Sequence, residues 1–348
     1  LRILAVHHPP VFVMENVKGL LSATVKKERI FERILDDLKH PLFATDSGKT
    51  DDLEYQLFPL VATSGELDGR FEPEDFVIHS EDFRVPQARH RIIILGIRSD
   101  WPSEPDLLQP SETQVAIEHV IGDLPKLRSG LSKELDSAEA WRDAVHDIAT
   151  AKWLVNGEMP ADLREALTSA VKRVGAGLSR GNHFLAESVK PECHKRWFVD
   201  ARLKGVCNHE TRGHIRADLH RYFFAAVFAR KFGRSPLLED LPTALLPEHE
   251  NVKEALKETK FNDRFRVQLA GRPSTTVVSH ISKDGHYYIH YDPSQCRSLT
   301  VREAARLQTF PDNYFFEGPR TEQYKQVGNA VPPLLAKQIA EIVAELLL

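Results

Sequence analysis

Residues 300–315 read Thr-Val-Arg-Glu-Ala-Ala-Arg-Leu-Gln-Thr-Phe-Pro-Asp-Asn-Tyr-Phe, and residues 326–333 read Gln-Val-Gly-Asn-Ala-Val-Pro-Pro. Thr300 and Glu303 have the spacing of a capping box, which predicts a helix that ends by Pro311. The two prolines that close the second stretch suit the first turn of another helix. In that helix, apolar side chains recur at helical spacing at Leu335, Ile339, Ile342 and Leu346.

Upstream, the N-terminal third of the chain alternates between strand-like and helix-like patterns. Residues 11–14 and 91–97 are apolar runs of the kind that fills buried parallel strands, and 76–78 is a shorter one. Residues 26–39 carry apolar side chains on one helical face. This order predicts an α/β domain with a largely parallel sheet. From about residue 100 prolines interrupt the pattern, and only short amphipathic stretches such as 218–231 follow, which indicates a separate domain.

Two sets of charged residues lie beside predicted strands. Glu15 follows the first strand directly, and ligands of open α/β sheets bind outside the carboxyl ends of the strands, so Glu15 is a candidate acid. A helix-capping carboxylate is the alternative. Gln87, Arg89 and Arg91 precede the strongest strand and share a face if the chain is already extended there. Two guanidiniums suit a phosphate or a carbonyl oxygen, whereas ordinary surface ion pairing is the alternative.

The formal net charge of −4 hides a strong local asymmetry. Residues 172–234 contain fourteen Lys or Arg and five Asp or Glu, a local charge of +9 that leaves −13 for the rest of the chain. A phosphate backbone responds to local potential, so this basic region is a candidate DNA-binding surface. A solvated charged face that binds nothing is the alternative. Aromatic residues 222–224 and 228 are interpreted as core, with base stacking as the other possibility.

Taken together and in this order, the motifs resemble those of the DNA cytosine-5 methyltransferase family. Glu-Asn-Val at 15–17, Pro-Gln-x-Arg-x-Arg at 86–91 and the two stretches quoted above follow one another as in that family. About 200 residues separate the second motif from the third, like the family's variable target-recognition region. The resemblance is weakest over 99–264 and most specific over 297–340. It implies an S-adenosylmethionine-dependent methyltransferase (Rossmann-like) catalytic domain of the α/β class, N-terminally incomplete, with an inserted mixed α+β target-recognition domain.

The resemblance also implies a division of the chain and a reaction. Residues 1–99 correspond to the C-terminal portion of the catalytic domain, and 100–296 to the target-recognition, DNA-binding domain. Residues 297–348 correspond to the closing motifs and a C-terminal helix that returns to the catalytic domain. In such an enzyme a cysteine thiolate attacks C6 of a flipped cytosine, methyl passes from S-adenosyl-L-methionine to C5, and the C5 proton is lost.

Residue roles follow from the same resemblance. Glu15 matches the acid that contacts the N3 edge of cytosine, and its neighbour Asn16 holds the loop. Arg89 and Arg91 match the arginine pair near the target nucleotide, and Arg91 is the better candidate for the base carbonyl. The closing motif, which completes the cofactor pocket, corresponds to Asn329, Ala330 and Val331. The helix that organises the recognition domain contributes residues interpreted as structural, namely Arg302, Glu303 and Arg306.

Two motifs of the family are absent from the sequence. The family places its nucleophilic cysteine after a proline, upstream of Glu-Asn-Val, whereas Cys193, Cys207 and Cys296 follow glutamate, valine and glutamine. The Phe-x-Gly-x-Gly cofactor loop belongs upstream as well. We expect both motifs in a missing N-terminal catalytic half, carried by the same chain or by a separate subunit. This chain alone is therefore predicted to transfer no methyl group.

The resulting hypothesis is part of a DNA cytosine-5 methyltransferase from a bacterial restriction-modification system. Its cofactor is S-adenosyl-L-methionine, its partner is double-stranded DNA, and the complete enzyme is a monomer. A natural subunit of a split methyltransferase and a non-catalytic DNA-binding module are the alternatives. The matches at Glu15, Arg89 and Arg91 argue against the last, because a binding module has no use for them.

Location and metal content are predicted from absences in the sequence. No apolar run reaches the ~18 residues of a membrane span and no leader opens the chain, so we expect a soluble, cytoplasmic protein without membrane contact. Cys193 and His194 with Cys207, His209 and His214 could suggest zinc, but they lack the short spacing of structural zinc sites. No metal site is predicted.

Overall fold

A computed structural model describes residues 1–25, 28–45, 54–61, 71–101, 103–247, 262–283 and 285–348. The helices of this part of the chain are α1 (Arg2–His7), α2 (Ile30–Lys39), α3 (Pro41–Ala44), α4 (Glu118–Ile121), α5 (Ala138–His146), α6 (Lys152–Val155), α7 (Ala161–Lys172), α8 (Lys195–Phe198), α9 (Arg216–Phe232), α10 (Val301–Leu307), α11 (Arg320–Asn329) and α12 (Pro333–Leu346). The strands are β1 (Val11–Val17), β2 (Thr24–Val25), β3 (Glu28–Arg29), β4 (Tyr55–Phe58), β5 (Val77–His79), β6 (Gln87–Ala88), β7 (His90–Arg98), β8 (Gly130–Leu131), β9 (Gly181–Leu185), β10 (Val206–Glu210), β11 (Gly213–His214) and β12 (Ser274–Thr275).

The chain divides into two compact units. Unit 1 consists of Leu1–Gln114 with Pro333–Leu348, and unit 2 consists of Val115–Pro332. The functional boundaries at 99/100 and 296/297 stay a prediction, but residues 297–332 group by contact with unit 2 and not with the catalytic portion. These residues group with unit 2 because the buried side chains of Arg302 and Arg306 donate hydrogen bonds to backbone oxygens elsewhere in unit 2.

Unit 1 contains a four-stranded sheet in which β7 is the shared partner. β1 pairs with β7 along 91–97, and β4 and β5 pair with it at 95–98 and 90–92. All three pairings are antiparallel, so the prediction of a largely parallel sheet is wrong for the strands described. The predicted burial holds for β7 but is wrong for 11–14, because no residue of β1 is fully buried and Val13 is 44% exposed. Strand direction depends on partners that are distant in the sequence.

The two faces of β7 contribute to two hydrophobic clusters of unit 1. Ile92 and Ile94 pack with Phe31 and Leu38 of α2 in one cluster. The second cluster holds Ile93, Leu95 and Ile97 of β7 together with Leu335, Ile339, Ile342 and Leu346 of α12. The predicted apolar face of the closing helix is therefore confirmed. Helix α2 begins at Ile30, and residues 26 and 27 of the predicted helix lie outside the described part of the chain.

Helix α9 lies in the larger of the two hydrophobic clusters of unit 2. Every residue from Tyr222 to Ala229 is buried, and α5 and α7 pack against this helix. The prediction of an amphipathic stretch is wrong here, because α9 has neighbours on more than one side. The interpretation of residues 222–224 and 228 as core is confirmed. A second cluster of unit 2 joins α4, α10 and α11.

None of the helices in the described part of the chain is both long enough and apolar enough to cross a membrane.

Candidate functional site

The candidate acid and one candidate arginine meet on the sheet of unit 1. In the antiparallel register of β1 and β7, Glu15 lies opposite Ile93 and Val17 lies opposite Arg91. Opposite residues share a face of the sheet, as do residues two apart on one strand, so Glu15 and Arg91 are diagonal neighbours. The Nε atom of Arg91 lies 3.0 Å from Oε1 of Glu15. The structure thus brings together two residues that are 76 positions apart in the sequence.

The Glu15–Arg91 pair is only partly shielded from solvent. The side chain of Glu15 is 31% exposed and that of Arg91 is 14% exposed. Burial lowers the pKa of Arg91, whereas the charge of Glu15 and the hydrogen bond to it raise that pKa. Arg91 also donates from Nη1 to the backbone oxygen of His90 over 2.8 Å. Its Nη2 makes no hydrogen bond to a described residue.

Asn16 acts on its own backbone. Its Oδ1 accepts a hydrogen bond from the N–H of Val17 over 2.8 Å, at the point where β1 passes into the 3₁₀ helix Lys18–Ser22. A side chain that bonds to the adjacent backbone restricts the chain where it leaves the strand. This contact is of the kind that the loop-holding prediction requires.

Gln87 and Arg89 differ from Arg91 in their surroundings. Gln87 is fully buried and Arg89 is 3% exposed. The backbone N–H of Arg89 donates to the oxygen of Gln87 over 3.0 Å, a three-residue turn that separates β6 from β7. The extended conformation assumed from 87 to 91 is therefore interrupted, and simple alternation does not place the three side chains on one face.

The closing motif of unit 2 is held by one buried amide. Gln308 donates from Nε2 to the backbone oxygen of Val327 over 2.8 Å and to that of Ala330 over 3.0 Å. Val327 lies in the last turn of α11 and Ala330 is the residue that follows the helix, so Gln308 binds the backbone where α11 ends. Gln308 lies in the other quoted stretch, so the two motifs that the sequence analysis joined are in direct contact.

Gly328 allows α11 to approach the 3₁₀ helix Ser279–Ser282 very closely. A Cβ atom at residue 328 would lie 2.4 Å from the backbone nitrogen of Ser279 and 2.4 Å from the carbonyl carbon of Val278. The next residue, Asn329, is exposed, and its side chain makes no hydrogen bond to a described residue. Ala330 and Val331 are half-buried. The polar atoms of Asn329 are therefore available at the end of a firmly packed helix.

Helix α10 carries charged residues in the interior of unit 2. Arg297 forms two hydrogen bonds of 2.6 and 2.7 Å with the carboxylate of Glu303. Burial acts to raise the pKa of Glu303, but the charge and hydrogen bonds of Arg297 hold it well below its usual value. Arg302 donates to the backbone of Cys207, and Arg306 donates to the backbone of Val120. These contacts fit the structural role expected of Arg302, Glu303 and Arg306.

The capping box at the start of α10 is confirmed. The side chain of Thr300 accepts a hydrogen bond from the N–H of Glu303, and the carboxylate of Glu303 accepts one from the N–H of Thr300. Helix α10 ends at Leu307, before Pro311, as predicted.

The basic region is less cationic in the fold than in the sequence. Four of its side chains pair with acids outside 172–234: Arg180 with Asp136, Arg216 with Glu134 and Asp147, Lys231 with Asp162, and Arg234 with Asp240. Lys190, Lys195 and Arg196 are exposed and form no ion pair with a described residue. Lys172, Lys204 and Arg230 share these properties. Lys190, Lys195 and Arg196, which lie close together in the sequence, are named here the basic patch and are candidates for phosphate contacts.

The rejected zinc candidates are engaged in other contacts. His209 bonds through Nε2 to the backbone oxygen of Pro125 over 2.8 Å, and its Nδ1 lies 2.9 Å from the hydroxyl of Thr300. Burial lowers the pKa of His209 to about 4. His214 is buried near the hydroxyl of Ser298, and Cys207 is buried as well. In the described residues, the side chains grouped closely enough to hold a metal are others, namely His79, Glu81 and His90.

The sequence analysis did not predict this group, because its three residues are spread over positions 79–90 and match no metal-binding motif. The available signal was the pattern His-x-Glu before the Pro-Gln-x-Arg-x-Arg motif, whose fifth position is itself a histidine.

Known proteins share both sequence and fold with this chain. Residues 65–345 match the profile of the family described as C-5 cytosine-specific DNA methylase. The Type II methyltransferase M.Bpa9945I of Bacillus paralicheniformis is 32% identical over 99% of this chain and 62% of its own length. The Type II methyltransferase M.DdeI of Desulfomicrobium norvegicum is 25% identical over 96% of this chain and 62% of its own length. The chain therefore spans about three fifths of the length of these two relatives.

Two further comparisons extend this result. The DNA (cytosine-5-)-methyltransferase M.ApeKI of Aeropyrum pernix is 29% identical over 99% of this chain and 74% of its own length. Among solved structures, one described as a DNA modification methyltransferase encoded within a prophage (E. coli) superimposes with a TM-score of 0.50. That superposition covers 99% of this chain and 72% of the other at 15% identity, so the likeness concerns the fold alone.

Proposed function

Because this chain belongs to the family of C-5 cytosine-specific DNA methylases, we propose that it is part of a DNA (cytosine-5-)-methyltransferase of a type II restriction-modification system. The complete enzyme transfers methyl from S-adenosyl-L-methionine to C5 of a flipped cytosine in double-stranded DNA and acts as a monomer in the cytoplasm. The names of three similar proteins, M.Bpa9945I, M.DdeI and M.ApeKI, support this proposal. Since the chain spans 62% of the first two, the activity is proposed for the complete protein.

The Glu15–Arg91 pair is the observation that carries the proposal. The edge of cytosine presents the N3 atom directly beside the carbonyl oxygen O2. Glu15, when protonated, donates to N3, while Arg91 donates from its unused Nη2 to O2. The 3.0 Å contact between the two side chains suits a pair that addresses adjacent atoms of one base. Cytosine inside a duplex hides this edge in its base pair, so the base must first leave the stack.

The closing motif is proposed to face the cofactor. S-adenosyl-L-methionine supplies a methyl group on a sulfonium centre when it is bound. Asn329 offers an exposed amide with donors and an acceptor, and Ala330 and Val331 offer a half-buried apolar surface beside it. Gln308 and Gly328 hold this backbone in place. The residues present therefore fit one wall of a site for a ligand that has both polar and apolar parts.

The nucleophile is not expected among the buried cysteines of this chain. Burial raises the pKa of both Cys207 and Cys296, which disfavours the thiolate that the attack on C6 requires. Neither residue follows a proline. The proposal therefore places the nucleophile and the Phe-x-Gly-x-Gly loop in a separate segment or subunit, and this chain alone transfers no methyl group.

The test begins with the DNA upstream of the codon for Leu1. An in-frame extension that encodes Phe-x-Gly-x-Gly and Pro-Cys defines a single-chain enzyme, and the same motifs in a neighbouring gene define a split enzyme. The protein or pair so defined is then assayed for transfer of radiolabelled methyl from S-adenosyl-L-methionine to duplex DNA. Methylation of cytosine at C5 is expected. If the motifs are found nowhere nearby, or if the assembled protein binds DNA without modifying it, a non-catalytic DNA-binding module is the better account.

A further inference from the structure

Three side chains with metal-binding atoms converge at the start of β7. His79 ends β5 and His90 begins β7, and the two are directly paired in the antiparallel register. Their imidazole rings are stacked, with centroids 3.9 Å apart and planes inclined by 14°. Glu81 lies on the 3₁₀ helix Ser80–Phe83 that follows β5, and its Oε1 is 2.8 Å from Nε2 of His90.

One oxygen of this cluster is buried and unsatisfied. Glu81 is 9% exposed, and its Oε2 has no hydrogen-bond partner among the described residues. A buried acceptor left without a partner costs on the order of 1–3 kcal/mol. The side chain of His90 is 35% exposed, so an ion can reach the cluster from solvent. The cluster therefore combines an accessible imidazole with a carboxylate oxygen that lacks a positive partner.

We propose that His79, Glu81 and His90 form a binding site for a divalent transition-metal ion of the zinc type. The ligand atoms of the three residues all lie within 4.8 Å of one another. Zinc bonds to imidazole nitrogen and carboxylate oxygen at about 2.0–2.2 Å, so tetrahedral ligands are about 3.3–3.5 Å apart. Small side-chain rotations, which would also unstack the two imidazole rings, bring the ligand atoms from their present spacing to the spacing of a zinc site. Two imidazoles and one carboxylate complete three positions and leave a fourth for water.

The backbone around the cluster is well bonded, which favours a defined site. Ser80 donates to the backbone oxygen of Arg89 from its N–H over 3.2 Å and from its hydroxyl over 2.7 Å. The N–H of Val85 donates to the backbone oxygen of Ser80 over 3.3 Å. These bonds join the segment that carries His79 and Glu81 to the segment that carries His90, so binding requires little ordering of the chain.

The electrostatic surroundings also permit a cation. Arg91 follows His90 directly, but its charge is paired with Glu15. Glu81 brings a negative charge to the cluster, and an imidazole in its neutral form binds metal without loss of a proton. The prediction of no metal site was drawn from cysteine and histidine spacing in unit 2 and did not weigh these residues.

Cobalt(II) provides the test, since its visible absorption reports ligand number and type while zinc itself is silent. The full 348-residue chain is freed of metal with a chelator and titrated with Co²⁺. We expect one equivalent to give the visible bands of a four- or five-coordinate site without a near-ultraviolet thiolate band. Added Zn²⁺ should displace the cobalt and raise the melting temperature of the chain.

Variants separate this site from binding elsewhere. His79→Gln and Glu81→Gln should each weaken Co²⁺ binding by at least about tenfold, whereas His183→Gln, which changes an exposed histidine on β9, should not. Circular dichroism melts check that each variant remains folded. The proposal is overturned if Co²⁺ gives no such bands, or if they persist in His79→Gln. Bands that vanish in Cys193→Ser alone would place the metal on that partly exposed thiol and overturn the assignment as well.

Discussion

Oε1 of Glu15 and Nε of Arg91 lie 3.0 Å apart across the antiparallel pair formed by β1 and β7. The contact joins an acid at the end of one strand to a guanidinium at the start of another, and both side chains keep part of their surface in solvent. A partly exposed ion pair contributes little to stability, so replacing Glu15 is expected to affect the proposed role more than the fold.

Glu15→Gln is expected to slow methyl transfer by the complete enzyme about 100-fold or more, because the amide cannot give a proton to the base. The melting temperature should change little. Single-turnover rates measure the effect. Glu32→Gln is the matched control, since Glu32 is exposed on α2 and forms no ion pair with a described residue. Full activity in Glu15→Gln, or equal losses in the two variants, would refute the assigned role.

Gly328→Ala is expected to destabilise the chain by about 1–3 kcal/mol, because the new methyl group would meet the backbone of the 3₁₀ helix Ser279–Ser282 at 2.4 Å. Thermal melts followed by circular dichroism measure the loss. Gly175→Ala is the control, because a Cβ there has nothing within 4 Å. If both variants melt at the same temperature, the close approach of α11 is not required for stability.

DNA binding by this chain is expected to weaken steeply with added salt, because bound phosphates release counterions. Replacing both Lys195 and Arg196 by Ala should reduce the slope of log K against log salt by about 2, since each phosphate contact contributes about 0.9. Fluorescence anisotropy with a labelled duplex provides the measurement. Lys337→Ala, an exposed lysine of α12, serves as the control. An unchanged slope in the double variant would exclude the basic patch from the interface.

Stability is expected to fall as the pH drops below about 6.5. Burial lowers the pKa of His209 to about 4 and that of His290 to about 3, from a usual value of 6.5. The unfolded chain therefore takes up protons that the folded chain does not bind, so acid favours unfolding between about pH 6.5 and pH 3. For His209, the difference between the pKa of the unfolded and folded chain corresponds to a loss of about 3 kcal/mol in the free energy of unfolding, reached below about pH 4.

Denaturant titrations at several pH values measure this effect. His209→Gln should make the decline shallower, since glutamine can still donate to Pro125 but does not titrate. His183→Gln, on the exposed strand β9, should leave the slope unchanged. A pH-independent free energy of unfolding over this range would show that these histidines are protonated equally in both states.

Local signals in the sequence predicted local structure well. The capping box of Thr300 and Glu303 and the apolar face of α12 both depend on residues within a few helical turns, and both were confirmed. Strand direction failed, because an apolar run such as 91–97 is equally compatible with parallel and antiparallel partners. The direction of strand pairing depends on how the chain runs between the strands, and the residues of a strand do not show this.

Charge was harder to predict than burial. The basic excess of 172–234 is reduced in the fold by Asp136, Asp162 and Asp240, which the sequence places outside that region. The ion pair between Glu15 and Arg91 was not predicted; the family resemblance implied only that each residue contacts the same base. Ion pairs between distant residues, and the grouping of His79 with His90, leave no periodic pattern in the sequence, so they could not be predicted from it.

Strand β7 divides its alternate side chains between two hydrophobic clusters, and this arrangement bears on how unit 1 opens. Because both clusters depend on one backbone ladder, neither can dissolve while the other remains intact. Unit 1 is therefore expected to unfold as a single cooperative body, with the amide protons of Ile93 and Leu95 among the last to exchange with solvent. The proposed site residue Arg91 lies near the start of that strand, whereas the residues in its middle are expected to determine how slowly unit 1 unfolds.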